Sequence, residues 1–383
     1  MRSAFRAFPF LVALAALVLL LRTGTAMAQQ EEVEDTVVAT DADSRPLFER
    51  AREKEAADKT AKPAAQPPSG FRRRPKNRFA VPDPALELAD PRTYRLRVMI
   101  RISAPEGPVK GITATCPIPM DWPEQQVRLL SQELSPASRV SEEVLPGQAA
   151  FIKFQVPFIK QGEAAFVERM YEITRYRTKF TLSADELALP KRIPVELREQ
   201  LAGMAPGVET NDRKMIELAK TLQTANLNAP PWDLAKSFWS WTRDNVKFEN
   251  GDFRGAMHAI EQRCGDCEEM SALFVGLCRL SDIPARTVWV HSHDYPEFYL
   301  VDNKGKGHWI PAQVLGPAWF GEMAEYRPIF QKGDRFYDPL KKEYVRYVPQ
   351  TVKGTDARSL PVVEIKHDIL ADSDINAPSY QNP

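Results

Sequence analysis

The sequence predicts an all-β sandwich domain followed by an α+β domain in a chain of 383 residues. The sandwich is predicted because short strand patterns with turn residues between them succeed one another over residues 85–182, with no helical pattern among them. The second domain is predicted over residues 183–350, where helical patterns come first and strand patterns follow.

Residues 1–28 are predicted to form a signal peptide. Arg2 and Arg6 precede an apolar run over residues 8–21, and Ala26 and Ala28 supply an A-x-A-like cleavage site. An uncleaved membrane anchor is the alternative, but the run is shorter than the ~20 residues that span a bilayer. We therefore expect a periplasmic or secreted protein with no stable membrane insertion after the signal peptide is removed.

Two further segments lie outside the predicted domains. Residues 29–84 are predicted to be a disordered linker, because their acidic, Ala-, Lys- and Pro-rich stretches offer few large apolar side chains for a core. Residues 351–383 are assigned to a C-terminal extension.

The composition narrows the class of protein. Basic and acidic residues number 51 each, and this balance argues against a nucleic-acid binder, which is usually strongly basic. Four cysteines are too few for a disulfide framework in so long a chain. We expect no cofactor, and the composition does not indicate an oligomeric state.

The strands of the sandwich are predicted from period-two alternation. Residues 94–102 alternate apolar side chains with mostly basic ones, as in a half-buried strand. Further strand patterns cover residues 112–116, 126–130, 150–156 and 165–175.

The second domain begins with helical patterns. These cover residues 194–201, 212–222 and 231–245, the last of them opening on a proline pair at Pro230 and Pro231. Strand patterns rich in β-branched and aromatic residues run from Arg286 to Tyr347.

A cysteine stands at the start of a further predicted helix. Met270, Leu273, Phe274 and Leu277 recur at helical spacing, while Asp266 and Glu269 have the spacing of a capping box. Cys267 is then the first helical residue, and the helix ends near residue 281, before Pro284. A helix start favours thiolate over thiol, so Cys267 is the candidate nucleophile.

Four short motifs follow one another in a familiar order. They are Gly265-Asp266-Cys267, Ile283-Pro284-Ala285-Arg286, His293-x-Tyr295-x-Glu297 and Trp309-Ile310-Pro311. In this order they resemble the transglutaminase-like superfamily, over residues 205–315. The resemblance implies a papain-like core, in which a helix bundle packs on an antiparallel sheet.

The resemblance also implies a chemistry. Cys267 would be the nucleophile and His293 the general base, in acyl chemistry on the amides of proteins or peptides, peptidoglycan peptides included. The activity of the protein would be that of a peptidase, an amidase or a transamidase. His291, two residues from His293, is the rival base.

Gln313 departs from the family, which usually has Asp at this position. An amide can orient the histidine by a hydrogen bond but supplies no negative charge. Asp294, Asp302 and Asp334 are the carboxylates that could take the place of the missing Asp. The departure motivates an alternative function, a catalytically weak or inactive binding protein of the cell envelope.

Two other interpretations of the cysteines and histidines remain open. Cys264 and Cys267 form a C-x-x-C pair, which could be redox-active or form a disulfide. His291, His293 and His308 could bind a metal ion together, although no other spacing supports a metal site, and we expect none.

Overall fold

The computed structural model describes residues 80–193, 195, 198, 203–338 and 341–370. The predicted signal peptide, residues 29–79 of the predicted linker and most of the predicted helix at 194–201 lie outside the described residues. No helix within these ranges is both long enough and apolar enough to cross a membrane.

The sandwich strands form where alternation predicts them. The structure gives them as β1 (Leu86–Ser103), β2 (Val109–Ile118), β3 (Gln125–Leu134), β4 (Arg139–Leu145), β5 (Ala149–Ile159) and β6 (Ala164–Phe180). Each predicted run lies inside one of them, and β4 alone was not predicted. Strand β4 pairs with β5, and its side chains are largely exposed. It therefore lacks the row of buried apolar side chains from which a strand is predicted in a sequence.

The second half of the chain contains the helices. After the short strand β7 (Leu187–Ala188) come α1 (Arg213–Ala225), α2 (Pro231–Asn245), β8 (Lys247–Phe248), α3 (Ala256–Gln262), β9 (Cys264–Gly265) and α4 (Cys267–Arg279). The helix predictions at 212–222 and 231–245 are confirmed, and α3 was not predicted. Helix α3 is too short to show an apolar period in the sequence.

Strands complete the chain. They are β10 (Ala285–Val290), β11 (His293–Asp302), β12 (Gly307–Pro311), β13 (Glu322–Met323), β14 (Ile329–Lys332), β15 (Phe336–Asp338), β16 (Glu343–Val345), β17 (Thr351–Lys353), β18 (Asp356–Ala357) and β19 (Val362–Leu370). The last three fall within the predicted C-terminal extension, where they pair with β2 and β1.

The described strands assemble mainly into two antiparallel sheets. The five-stranded sheet has the order β13-β6-β1-β19, with β3 also on β6. The ten-stranded sheet has the order β12-β11-β10-β14-β5-β2-β17, with β4, β7 and β18 attached to β5, β11 and β2. One continuous sheet therefore extends from the hairpin that carries His293 into the sandwich, through the pairing of Gln331 with Ala149.

The two larger hydrophobic cores among the described residues lie on opposite faces of strand β11. The first lies within the sandwich and includes Leu96, Phe154 and Tyr295. The second surrounds α4 and includes Phe274 and Phe298. A papain-like core of helices packed on an antiparallel sheet, joined to an all-β sandwich, confirms the predicted fold class.

Candidate active site

Helix α4 begins at Cys267, as predicted. Asp266 is the N-cap, and its side chain accepts a hydrogen bond of 2.8 Å from the backbone N–H of Glu268. The side chain of Glu269 returns to accept one of 2.9 Å from the backbone N–H of Asp266. This capping box satisfies two donors that a helix start leaves open, and so fixes Cys267 as the first helical residue.

Gly265 is required by the same arrangement. A Cβ atom at position 265 would lie 2.7 Å from the Cβ atom of Glu269, closer than such atoms approach in proteins. Glu269 is itself buried, and its second oxygen accepts a hydrogen bond of 2.8 Å from the backbone N–H of Arg254. The glycine of the Gly265-Asp266-Cys267 motif therefore makes room for the carboxylate that ties the helix start to the preceding loop.

Strand β11 lies opposite the start of helix α4. His293 is its first residue and pairs with Val290 across a tight turn whose Ser292 has a φ of 55°. Alternate residues of a strand face opposite sides, and Phe298 joins the core around α4. Asp294 shares the side of Phe298 and therefore points towards α4.

Cys267 meets this strand at Asp294. The backbone N–H of Asp294 acts on the sulfur of Cys267 and favours its thiolate form. The thiol, which is half-buried, thus lies against the residue that follows His293.

His293 and Gln313 are in direct contact. The Nε2 atom of Gln313 lies 3.2 Å from Nε2 of the His293 ring. Gln313 is completely buried. Its backbone carbonyl oxygen accepts hydrogen bonds of 2.6 Å from Trp239 and 3.1 Å from Arg243, both on α2. Helix α2 therefore fixes the backbone of the residue that touches the histidine.

The orientation of the Gln313 amide sets the tautomer of His293. Facing the amide nitrogen, Nε2 accepts a hydrogen bond and the ring proton is on Nδ1. Facing the amide oxygen, Nε2 carries the proton and Nδ1 is the basic atom. A general base that takes a proton through Nδ1 needs the second orientation, which a rotation of the amide provides.

The surroundings of His293 favour its neutral form. Burial lowers the pKa of His293 to about 4, and the positive charge of Arg327 acts in the same direction. Glu325 and Gln313 oppose this shift without reversing it. The imidazole is therefore neutral at pH 7, as a general base must be before it takes a proton.

Glu325 is the carboxylate that acts on His293, and it was not predicted from the sequence. It is buried and forms hydrogen bonds of 2.8 and 2.6 Å to the guanidinium of Arg327. Burial alone would raise the pKa of Glu325, but Arg327 outweighs it and lowers the value to about 2. Glu325 lies twelve positions beyond Gln313 in the sequence, in no motif, so no sequence signal identifies it.

The three carboxylates that were predicted to substitute for the missing Asp lie elsewhere in the structure. Asp334 accepts two hydrogen bonds of 2.8 Å from Arg279 at the far end of α4. Asp302 caps the turn after β11 through the backbone N–H groups of Lys304 and Lys306. Asp294 lies beside Cys267.

The electrostatics at Cys267 reverse the expectation from the helix start. Burial raises the pKa of the Cys267 thiol well above its usual value, and the carboxyl groups of Asp294, Asp266 and Glu268 raise it further. The hydrogen bond from the Asp294 backbone acts in the opposite direction and is outweighed. Cys267 is consequently a neutral thiol at pH 7.

The carboxyl groups around Cys267 also shift one another. Burial raises the pKa of Asp294 well above its usual value, with the charge of Glu268 adding to it. Burial and the hydrogen bond with Glu269 raise the pKa of Asp266 to about 7. Arg346 forms an ion pair with Glu268 and is a cation at this cluster.

The rival histidines do not join the site. His291 packs against Phe330, and burial lowers the pKa of His291 to about 4. His308 pairs with Leu300, seven residues along β11 from His293, which is about 24 Å at 3.4 Å per residue. Its Nδ1 lies 2.7 Å from Asp83. The three histidines therefore cannot hold one metal ion.

The remaining cysteines are free thiols in the structure. Cys264 lies before Cys267 without a bond to it, and its sulfur is 3.6 Å from Nε2 of His258. Cys278 is buried in the core around α4.

Among the comparisons with known proteins, a family model supports the fold. Residues 217–314 match the family model described as the transglutaminase-like superfamily. Among solved structures, a proposed cysteine protease from Cytophaga hutchinsonii aligns with a TM-score of 0.48 at 14% identity, over 74% of this chain and 93% of that one. A proposed protease from Parabacteroides distasonis gives a TM-score of 0.23 at 12% identity, over 58% of this chain and 48% of that one. No curated protein matches the sequence.

The matched range contains Cys267, His293 and Gln313 together with the capped helix and the hairpin that hold them. Residues 217–314 of this chain therefore form a core of the transglutaminase-like superfamily.

Proposed function

We propose that this protein carries out thiol-mediated acyl chemistry on the amides of proteins or peptides. In this proposal Cys267 is the nucleophile, His293 is the general base and acid, and Gln313 orients the imidazole. The contact of 3.2 Å between Gln313 and His293, on the strand whose next residue, Asp294, acts on the Cys267 thiol, is the observation that carries the proposal.

The reaction starts from a neutral pair. As the sulfur of Cys267 attacks the amide carbonyl, its proton passes to His293, and the carbonyl oxygen becomes an oxyanion. The backbone N–H of Cys267, at the first turn of α4, is a donor for that oxyanion. When the C–N bond breaks, His293 returns the proton to the departing amine, and a thioester remains on Cys267.

The thioester then passes to an acceptor. Transfer to water regenerates the thiol and makes the protein a peptidase or an amidase. Transfer to an amine gives a new amide and makes it a transamidase. Both outcomes use the same first step, so both are included in the test.

The cellular setting belongs to the same proposal. The basic, apolar and small-residue pattern of residues 1–28 supports export to the periplasm or the medium. Peptides of the cell envelope, peptidoglycan peptides among them, are the corresponding substrates.

A second function is supported by the charges at Cys267. Carboxyl groups of Asp266, Glu268 and Asp294 oppose formation of a thiolate, and the histidine has an amide rather than a carboxylate as its partner. These features fit a transglutaminase-like protein of the envelope that binds peptides and turns them over slowly or not at all.

The two functions are separated by one set of assays. The purified protein is incubated with a protein substrate plus a fluorescent primary amine, and separately with a denatured protein and with peptidoglycan peptides. Amine incorporation and the release of ammonia or new termini are measured. Wild type and Cys278→Ala, a matched loss of a core thiol on the same helix, are expected to be active, while Cys267→Ala is expected to be inactive.

Mass spectrometry tests for the thioester intermediate on Cys267. A substrate mass covalently attached to Cys267 after acid quenching supports acyl chemistry. If wild type and Cys267→Ala bind the peptides equally and neither turns them over, the enzymatic proposal is wrong and the binding function stands.

A further inference from the structure

Three side chains with metal-binding atoms converge just before the Cys267 helix. The donor atoms of Glu249, His258 and Cys264 all lie within 4.8 Å of one another. They form a group of this kind within the described part of the chain and lie outside the residues assigned to the acyl chemistry.

Three separate elements bring these residues together. Strands β8 and β9 pair in parallel, with Lys247 opposite Cys264. The backbone N–H of Glu249 donates a hydrogen bond of 3.0 Å to the carbonyl of Gly265, which holds Glu249 beside β9. His258 lies on α3, and the chain turns back towards β9 at Arg263, whose φ is 58°. The backbone therefore holds the three donors close together without a bound ion.

The spacing of the donors fits zinc. In tetrahedral zinc sites the metal lies ≈ 2.3 Å from sulfur and ≈ 2.0–2.1 Å from nitrogen, which separates those two atoms by roughly 3.6 Å. The sulfur of Cys264 and Nε2 of His258 are 3.6 Å apart. The donor set of one thiolate, one imidazole and one carboxylate suits zinc and its borderline neighbours, rather than calcium or magnesium, which prefer oxygen.

We propose that Glu249, His258 and Cys264 form a binding site for a zinc-class divalent metal ion. Three protein ligands leave a fourth tetrahedral position for water or another small ligand. Glu249 is exposed, while His258 and Cys264 are half-buried, so the ion can arrive from solvent.

Binding requires two changes in the structure. The Cys264 thiol, which is hydrogen-bonded to Glu249, gives up its proton to solvent so that the thiolate can bind the metal. Arg254 is now 3.1 Å from the Glu249 carboxylate and must move away from it, so that one oxygen of Glu249 can bind the ion.

Cobalt provides a direct spectroscopic test. The reduced full-length protein is titrated with Co²⁺ and, separately, with Zn²⁺ in competition with a chromophoric chelator. We expect one ion per chain, a thiolate-to-cobalt charge-transfer band, and the intense visible bands of a tetrahedral cobalt ion. An absence of the charge-transfer band in the wild type would overturn the proposal without any variant being made.

Variants assign the ligands. Cys264→Ser is expected to abolish the charge-transfer band, and His258→Gln and Glu249→Gln to weaken zinc binding by at least about 100-fold, since even residues behind the ligands cost 10–100-fold. Cys267→Ser is the matched control and is expected to keep both the band and the affinity. If Cys267→Ser abolishes the band while Glu249→Gln keeps the affinity, the ion binds a cysteine pair, and the proposed ligand set is wrong. None of these readouts depends on acyl-transfer activity.

Discussion

At the scale of single residues, the unusual feature is that the proposed nucleophile and the proposed base are both neutral. Burial accounts for the largest part of each shift, raising the pKa of Cys267 and lowering that of His293 to about 4. A helix start would by itself favour thiolate, yet the side chains of Asp266 and Asp294 are placed where they oppose it. In the proposed reaction, proton transfer must then accompany attack on the substrate rather than precede it.

The charge of Asp294 gives a first prediction. Replacement of Asp294 by Asn removes the carboxyl group that raises the pKa of Cys267 most, so this pKa should fall, and alkylation of Cys267 at pH 7 should become faster. In the wild type, alkylation of Cys267 at pH 7 should be slower than that of a free cysteine and should rise only at alkaline pH. The measurement is the rate of iodoacetamide labelling at Cys267, followed by mass spectrometry across pH 6–10.

Asp282→Asn is the matched control for this experiment. Asp282 is exposed just beyond the opposite end of α4 with a φ of 57°, a conformation that Asn also tolerates. It should leave the labelling rate unchanged. Rapid labelling of the wild type at pH 7 would contradict the predicted neutral thiol.

Gln313 gives a second prediction. Replacement of Gln313 by Glu places a carboxyl group of the same length 3.2 Å from the imidazole, and a nearby negative charge stabilises imidazolium. The pKa of His293 should rise from about 4 by one unit or more. The measurement is an NMR titration of the imidazole signals, with the His293 signal assigned from a His293→Gln variant.

Gln313→Leu separates charge from contact in the same titration. It removes the hydrogen bond but adds no charge, so the pKa of His293 should stay low. A folded Gln313→Glu protein with an unchanged titration would show that the glutamate is itself neutral or turned away.

At the scale of elements, the start of α4 depends on Glu269 more than on its N-cap. One buried carboxylate accepts hydrogen bonds from the backbone of Asp266 and of Arg254, and so joins the helix to the loop before α3. The sequence shows the capping box, because spacing alone defines it. It does not show the bond to Arg254, fifteen positions away, which depends on the folded loop.

A third prediction follows for stability. Glu269→Ala leaves two backbone donors without their partner and should lower the free energy of unfolding by about 2–4 kcal/mol. Asp266→Ala loses an N-cap and should cost about 1 kcal/mol. Glu261→Ala, whose exposed carboxylate pairs with Lys214, should cost less than about 1 kcal/mol.

Urea unfolding followed by circular dichroism measures all three. The order Glu269, Asp266, Glu261 is the expected result. Equal losses for Glu269→Ala and Glu261→Ala would mean that the double hydrogen bond does not hold the helix start.

At the scale of the whole molecule, the sandwich and the transglutaminase-like core are joined by backbone pairing and by buried charge. Strand β14 pairs with β10 on one side and β5 on the other. Its Lys332 forms buried ion pairs of 2.7 Å with Glu124 from the sandwich and 2.6 Å with Glu297 from β11. Removal of one partner from such a set leaves a buried charge without compensation.

The C-terminal strand gives a fourth prediction. Strand β19 covers the free edge of β1 and adds Val363, Ile365 and Ile369 to the sandwich core. A chain that ends at Leu360 should lose at least about 3 kcal/mol and should aggregate through the exposed edge. A chain that ends at Leu370 keeps every described strand and should match the full-length protein.

Urea midpoints and size-exclusion chromatography compare these truncations. A chain ending at Leu360 that stays monomeric with an unchanged midpoint would show that β19 contributes nothing to the sandwich.

The sequence predicts this molecule well where local pattern determines structure. Alternation locates β1 and β6, and helical spacing with a capping box locates Cys267 at the start of α4. Motif order identifies His293 and Gln313, which are in contact. The sign of the Cys267 pKa shift and the role of Glu325 could not be predicted, because both arise from residues that are distant in sequence.

The pairing of β1 with β19 determines the order in which the chain can fold. Arg97 and Asp368 form a salt bridge across these strands although they are 271 positions apart. A chain that emerges from its N-terminus presents β1 first, yet its second neighbour is among the last described residues to appear. Until then the edge of β1 stays open, and such long-range pairing is slow to form. Synthesis and folding are therefore separated in time for the sandwich, and we expect newly made chains to need protection from aggregation until Leu370 has emerged.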